Sequence, residues 1–489
     1  MTDTIHEQVM REERASRWAL SLPQLWVVVA VLLPMMALQG ALGTIDLAYH
    51  IRVGDVMFHT HSLLRHDPFT FTAGGAPWLD QQWGAQLLLA LVYRGLGWPG
   101  LAIVQSFLPG LAILFIYLAC RVVGPAPRQA AVLALAGFAV AWTSLTLRPQ
   151  LLAAVLFALC LWLVASRRSH PGRLLAVPVV VALWANLHGS FFLGILLVGL
   201  AALEEILRRS PEARRALALT VASGVAANLN PFGVRIWSYA FGISTNATIS
   251  SLVTEWRPPS IRHADDALFF LSVAGVAVFL ARRGRSTPWP NLVWLGVFFF
   301  LALTASRNTM WWGLAAPVAL APLLRDRARR EPRQLEPSLL HTAIAACLAL
   351  IVSAFFILSL EGGSFRTPGN RVADAPVALT AHLERLAPPG TRVFNAQQWG
   401  SWLELAMPGR PLFVDSRIEL FPRRVWEDYL SISNGRVGWP AILRQWRVRV
   451  LVISEKRQGD LIPLVRRAPD WRLAYRDEDG AIFVPASSR

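Results

Sequence analysis

Lysine is nearly missing from this chain. Lys456 is the only one among 47 basic residues, so arginine carries almost all the positive charge. That usage fits a high-GC bacterial genome and constrains mechanism little. Charge of either sign is scarce, at 16% of 489 residues, against 54% hydrophobic residues. A soluble protein of this size carries more charge and alternates apolar with polar helix faces, so that class is excluded. Cysteine is rare as well. Cys120, Cys160 and Cys347 each lie inside an apolar run. They form neither a disulfide framework nor a metal-ligand motif. Internal repeats and low-complexity tracts are missing too.

Long apolar runs with almost no internal charge take their place, and the mean hydropathy is +0.43. Runs of this length suit a hydrocarbon core about 30 Å thick. The net charge of +16 does not point to nucleic acid, because the arginines sit in short linkers between apolar runs. Cytoplasmic linkers carry that excess. Candidate spans are 21–43, 100–120, 129–147, 150–166, 174–188, 191–207, 215–229, 266–281, 288–305, 310–324 and 338–360. The first follows about twenty polar residues without a cleavage site and is expected to be a retained anchor.

Segment 84–98 is apolar but contains Arg94 and Gly95. If it spans, the linker SRRSHPGR and the basic linkers after it fall outside. If it lies in the interface, the five basic linkers (Arg121–Arg128, Ser166–Arg173, Arg208–Arg215, Arg282–Arg285 and Arg325–Arg333) all fall inside with the N-terminus. The second arrangement is consistent, so 84–98 is expected to be an interfacial helix. This gives an all-α polytopic membrane domain of about eleven helices over 21–360, after a cytoplasmic N-terminus at 1–20. Its outer loops are 44–99 and 231–265. A small extracytoplasmic α/β domain at 361–489 follows. There RVFN, PLFVD, RVRVLVIS and AIFVP have strand character and WGSWLELA helical character.

Ionisable residues at membrane depth are costly and mark function. With this topology they collect on the outer face: Asp46 and His50 after span one, Arg148 in TLRPQ, and Asn186 and His188 in WANLHGS. Asn228 and Asn230 in NLNPFG, Glu255 and Arg257 in TEWRPP, and Arg307 and Asn308 in SRNTMWW join them. The inner face offers arginine clusters expected to be solvated. A carboxylate on the outer face can deprotonate an acceptor hydroxyl, and arginines can bind phosphate bidentately. Plainer roles compete. Arg148 can snorkel, His188 can cap a helix, and Asn230-Pro231 is a turn signal. Asp67 and Asp80 can close turns, and Asp415 with Arg417 can form a local salt bridge. Trp311 and Trp312 are expected in the interfacial aromatic belt. The sequon Asn246-Ala247-Thr248 is discounted in a bacterial chain.

The stretch TIDLAYHIRVGDVMFHTHSLLRHDPFTFTAGGAPWLDQQWGAQLLLALVYRGLGW resembles the first outer loop of the C-type (GT-C) integral membrane glycosyltransferase superfamily. Protein O-mannosyltransferases and aminoarabinose transferases belong to that superfamily. The shared layout is an acidic residue at the outer end of span one, a Pro-aromatic segment, and an interfacial helix ending near glycine. Many members carry two adjacent acidic residues where Asp46 is followed by Leu47. The resemblance implies a bacterial inner-membrane enzyme that transfers sugar from a polyprenyl-phosphate donor to a glycan, lipid or protein acceptor. Asp46 and His50 would be catalytic. Arg148, Arg307 and His188 would bind the donor phosphate, and Asp67, Asp80, Asn186, Asn230 and Glu255 would bind substrate. No protein metal set is implied, and a divalent Mg or Mn ion is compatible with it. The competing classes are a flippase for lipid-linked glycans and a non-catalytic assembly protein. A transporter is expected to show paired repeats and broken helices near the bilayer midplane, and neither is visible in this sequence.

Overall fold

The computed structural model describes residues 19–244, 246, 249, 252–324, 337–360, 368 and 371–486. Most of the N-terminal segment, the linker Arg325–Arg333 and the Ala247 and Thr248 positions of the sequon lie outside the described residues. The chain divides into two compact units.

The first unit is 1–40, 99–236 and 253–365, and its described residues are mostly helical. Among the described residues, five helical stretches are long and apolar enough to cross a membrane: Trp83–Val123, Pro149–Arg168, Gly189–Leu207, Ala264–Arg283 and Leu339–Leu358. Leu22–Ala37, Pro171–Ala185 and Trp289–Thr304 are shorter apolar helices. The runs expected at 129–147, 215–229 and 310–324 fold as Pro127–Ala141, Ala213–Ala226 and Thr309–Leu320. Helices here pack through small residues, as expected where lipid offers no hydrophobic gain for helix contact. A Cβ on Gly137 would come within 2.3 Å of the Gly313 carbonyl oxygen, and one on Gly313 within 2.8 Å of the Gly137 oxygen. These two glycines let Pro127–Ala141 and Thr309–Leu320 touch backbone to backbone.

Trp311 and Trp312 are each 3% exposed, not belt residues. Trp311 meets Phe157 and Trp184 edge-on or tilted, and Trp312 donates its indole N–H to Ser272 Oγ at 2.8 Å. Burying the aromatic area and satisfying the N–H inside the bundle outweighs an interfacial position.

The arginine linkers also differ from expectation. Glu204 and Glu205, at the end of helix Phe192–Leu207, are buried. Arg168 Nη2 lies 3.0 Å from both, Arg167 Nε lies 3.1 Å from Glu205, and Arg208 Nε lies 3.0 Å from Glu204. Buried carboxylates at a helix end need counter-ions, so these arginines are held in a network and not merely solvated.

The second unit joins 41–98, 237–252 and 366–489. Strand β1 (Leu42–Gly43) pairs in parallel with β2 (Val372–Ala373). Strands β3 (Val393–Asn395), β4 (Val450–Ser454), β5 (Trp471–Arg476) and β6 (Gly480–Pro485) form a mixed sheet in the order β3-β4-β6-β5. The β3–β4 pair is parallel and the other two are antiparallel. The buried faces of β4 and β6, VLVIS and AIFV, form its centre. PLFVD is not a strand of this sheet. Leu412 makes only single bridges, to Thr70 and Val393. Helix Thr44–Thr60 meets the segment 83–96 at Gly54, where a Cβ would lie 2.1 Å from the Gln86 carbonyl oxygen. The helical stretch Trp83–Val123 breaks at Gly97 (φ 59°, ψ −152°), a backbone region open to glycine.

Candidate functional site

In the first unit, three elements bring charged groups together. Arg148 precedes Pro149 in extended conformation at the start of helix Pro149–Ala165. Glu255 sits in the short 3-10 turn Thr254–Trp256, and Arg307 in the turn Ser306–Asn308. The Arg257 carbonyl accepts from Ser306 N–H at 2.7 Å, which ties the two turns together. Ser306 Oγ donates to Asp266, and Asp266 Oδ2 accepts from Ser260 N–H at 2.9 Å. The Arg307 guanidinium lies 4.6 Å from the centre of the Trp256 ring. It also donates to Gln150 Oε1 at 2.8 Å. Arg148 Nε donates to Thr146 Oγ1 at 3.1 Å.

Both guanidiniums face Glu255. Arg148 Nη2 is 3.4 Å from Oε2, and Arg307 Nη1 is 3.4 Å from Oε1. Burial opposes ionisation of Glu255, but Arg307 and Arg148 outweigh it and hold the carboxyl below its ordinary range. All three side chains keep partial exposure, between 19% and 31%. The arrangement can therefore take an anion from outside the fold.

The other candidates of this unit have local partners. His188 Nδ1 accepts from Ser190 N–H at 3.2 Å and meets Ser190 Oγ at 2.7 Å, capping the 3-10 turn Gly189–Phe191. Asn186 Nδ2 donates to the Ala182 and Leu229 carbonyls at 2.8 and 2.9 Å. Asn230 donates to the Ala227 and Gly233 carbonyls and accepts from Phe232 N–H at 2.8 Å, closing the turn its sequence announces.

In the second unit, Asp46 stands half-buried in the first turn of helix Thr44–Thr60, and His50 lies one turn on. His50 is buried, with its ring centre 4.0 Å from that of Tyr49. Asp67 and Asp80 are buried with protein partners. Asp67 accepts from Phe69 N–H and Thr70 N–H, both at 3.1 Å, and from Arg417 at 2.8 Å. Asp80 Oδ1 accepts from Gln86 Nε2 at 2.8 Å. Burial pushes the Asp80 carboxyl up to about 7, against the Gln86 bond and Arg417.

Arg417 is the centre of this unit's polar core. Its guanidinium pairs with Asp415 and Asp67 and lies 3.6 Å from Glu404, with every side chain in the set at most 1% exposed. It also lies 4.6 Å from the Trp78 ring centre. Burial and the neighbouring Asp415 push Glu404 well above the carboxylate range. Arg417 overcomes burial to hold Asp415 below it. Asp415 and Arg417 thus do form a local ion pair, and Asp67 extends it to the first loop. Glu404 was missed. In WGSWLELA it looks like one polar position of an amphipathic helix, and no signal in the sequence marks it as buried. Among the described residues, no group of three or more His, Cys, Asp or Glu is placed to hold a metal ion.

No protein-family model matches this chain, and no curated protein matches it in sequence. Solved structures do match. The apo oligosaccharyltransferase of Archaeoglobus fulgidus matches at 14% identity and TM-score 0.50, over 94% of this chain and 74% of that one. Apo ArnT from Cupriavidus metallidurans matches at 13% identity and TM-score 0.51, over 94% and 96%. Both are C-type glycosyltransferases. The chain has the fold of these two proteins, and its helices include apolar ones.

Proposed function

We propose that this protein is a membrane glycosyltransferase that moves a sugar from a polyprenyl-phosphate donor to an extracytoplasmic acceptor. The observation that carries the reading is the pair Arg148 and Arg307, two guanidiniums turned toward one anionic group on a C-type glycosyltransferase fold. In the proposed reaction Asp46 takes the proton of the acceptor hydroxyl. The hydroxyl oxygen bonds to the anomeric carbon, and the carbon–oxygen bond to phosphate breaks with inversion. Polyprenyl phosphate leaves as an anion held by Arg148 and Arg307. His188 orders the turn Gly189–Phe191 in the unit that carries these arginines. In this reading about eleven spans cross a bacterial inner membrane, with the N-terminus inside and the C-terminal region outside.

Asp46→Asn in the full-length protein tests the reading. Losing a general base lowers a rate by roughly 10²- to 10⁴-fold. The variant is expected to lose transfer activity by at least that lower bound while keeping its melting temperature, and to fail to restore the surface glycan of a null strain. Full complementation by the variant refutes the base assignment. Lipid-linked sugar trapped on the inner leaflet of the null strain identifies a flippase instead.

A further inference from the structure

The sheet of the second unit is charged differently at its two ends. Strands β3 and β4 are parallel, and β4 and β5 both run antiparallel to β6, so β3, β4 and β5 enter the sheet from one end. Direct bonds join the three entries. Arg392, just before β3, donates to the Trp446 carbonyl at 3.0 Å, and Arg444 pairs at 3.1 Å with Asp470, just before β5. Arg447 and Arg449 precede β4, Arg466 and Arg467 end the helix Leu461–Arg467 that leads to β5, and Arg472 is the second residue of β5. These last five are exposed, and none has a side-chain partner among the described residues. The neighbouring carboxylates Asp428 and Asp470 already accept from the Trp446 indole N–H and from Arg444. At the opposite end, Glu455 follows β4, and Asp477, Glu478 and Asp479 lie between β5 and β6.

Two features separate the basic end from an ordinary solvated face. Arg447 has φ 54°, in the left-handed region where a side chain is strained and glycine is not. Keeping arginine there keeps its charge at a cost in backbone strain. The second feature concerns apolar surface. The large exposed apolar side chains among the described residues of 371–486 are Val377 and Val437. They stand at or just before the starts of helices Val377–Leu386 and Trp439–Gln445, whose far ends lead into β3 and β4. A surface that docks on lipid sets apolar side chains among its basic ones, and this end has none among the described residues. The charge suits a solvated polyanion.

We propose that the strand-entry end of this sheet binds an anionic polysaccharide through Arg447, Arg449, Arg466, Arg467 and Arg472. This names the acceptor of the transferase reading and rests on the extracytoplasmic placement proposed above, since outside the cytoplasm the polyanions at hand are envelope glycans and not nucleic acid. The arginines recognise the acidic sugars of the polymer and take no part in the bond-forming step.

The probe is oligogalacturonate, with a carboxylate on every sugar, and neutral dextran is its control. Binding to the full-length protein in phosphatidylcholine nanodiscs is measured by calorimetry at low and raised salt. Wild type is expected to bind oligogalacturonate and not dextran, with an affinity that falls as salt screens the charges. The triple variant Arg447→Gln, Arg449→Gln, Arg472→Gln is expected to lose about threefold per charge, about 30-fold in all, and to show a shallower salt dependence. The corresponding triple lysine variant keeps the charges and is expected to stay within about threefold of wild type. Where the triple glutamine variant does not fold, Arg472→Gln alone is expected to lose about threefold. Asp46→Asn is expected to bind as wild type, so a failure of binding and a failure of the transferase reading are separate results. No binding by wild type, equal binding of dextran, or an unchanged affinity in the glutamine variants overturns the proposal. So does flotation of the wild-type nanodiscs with phosphatidylglycerol vesicles that needs the same arginines and is not competed by oligogalacturonate, which identifies a lipid surface instead.

Discussion

Arg417→Leu tests whether the second unit is held together by its buried ion cluster. The substitution keeps most of the side-chain bulk and removes the guanidinium that faces Asp67, Asp415 and Glu404. Asp415 is ionised in the wild type because Arg417 overcomes burial. Without that charge, Asp415 and Asp67 remain at most 1% exposed with no cation among the described residues paired to them. Breaking a buried pair by removing one partner costs about 3–5 kcal/mol. In a body of about 150–250 residues, each kcal/mol moves the melting temperature by roughly 2–4 °C, so the expected drop is roughly 10 °C.

The pH dependence carries a sign that distinguishes this mechanism from lost packing. In the wild type Asp415 has a lowered pKa. Its stabilisation is present above the unfolded value and is lost as pH falls through the folded value. In the variant, Asp415 loses the charge that holds it below its ordinary range, so its pKa rises. Its penalty is then relieved as pH falls through the new value. The gap between variant and wild type is expected to narrow from pH 7 toward pH 4. Tryptophan-fluorescence melts of the full-length protein in detergent across that range measure it. A variant within about 2 °C of wild type at pH 7, or a gap that widens on acidification, refutes the reasoning.

Two further outcomes follow from the same unit. Asp80 is buried with its pKa raised to about 7, so the stability present below its unfolded value is lost as pH rises toward 7, by about 4 kcal/mol in all. Asp80→Asn keeps an acceptor for Gln86 and is expected to flatten the decline in melting temperature between pH 4 and pH 8. An unchanged slope counts against it. Gly54→Val puts side-chain atoms where a Cβ already meets the Gln86 oxygen at 2.1 Å. The overpacking is expected to cost about 1–3 kcal/mol, seen as a lower melting temperature, and Gly40→Ala, with open space around it, serves as the control.

Some of this was legible in the chain. Asn230-Pro231 announced its turn, because an asparagine side chain closes on its own backbone whatever lies around it. The strands at 393–395, 450–454 and 480–485 showed in β-branched runs whose alternatives are poor. WRLAYR did not show, since at the sheet edge β5 has no fully buried position and its pattern is mixed. PLFVD misled, because a buried apolar run satisfies strand patterning even where its partners are single bridges.

Apolar run length and linker charge determined, without any coordinates, that this is a helical membrane protein with a smaller α/β portion. Those properties are local sums along the chain. Only tertiary structure decided what the charged residues do. It gave Asp67 to Arg417 across 350 positions of sequence and made Glu404 a buried acid. It also set Glu255 between Arg148 and Arg307. A charge acts through its distance to other charges and its shielding from water, and the order of residues in the chain carries neither.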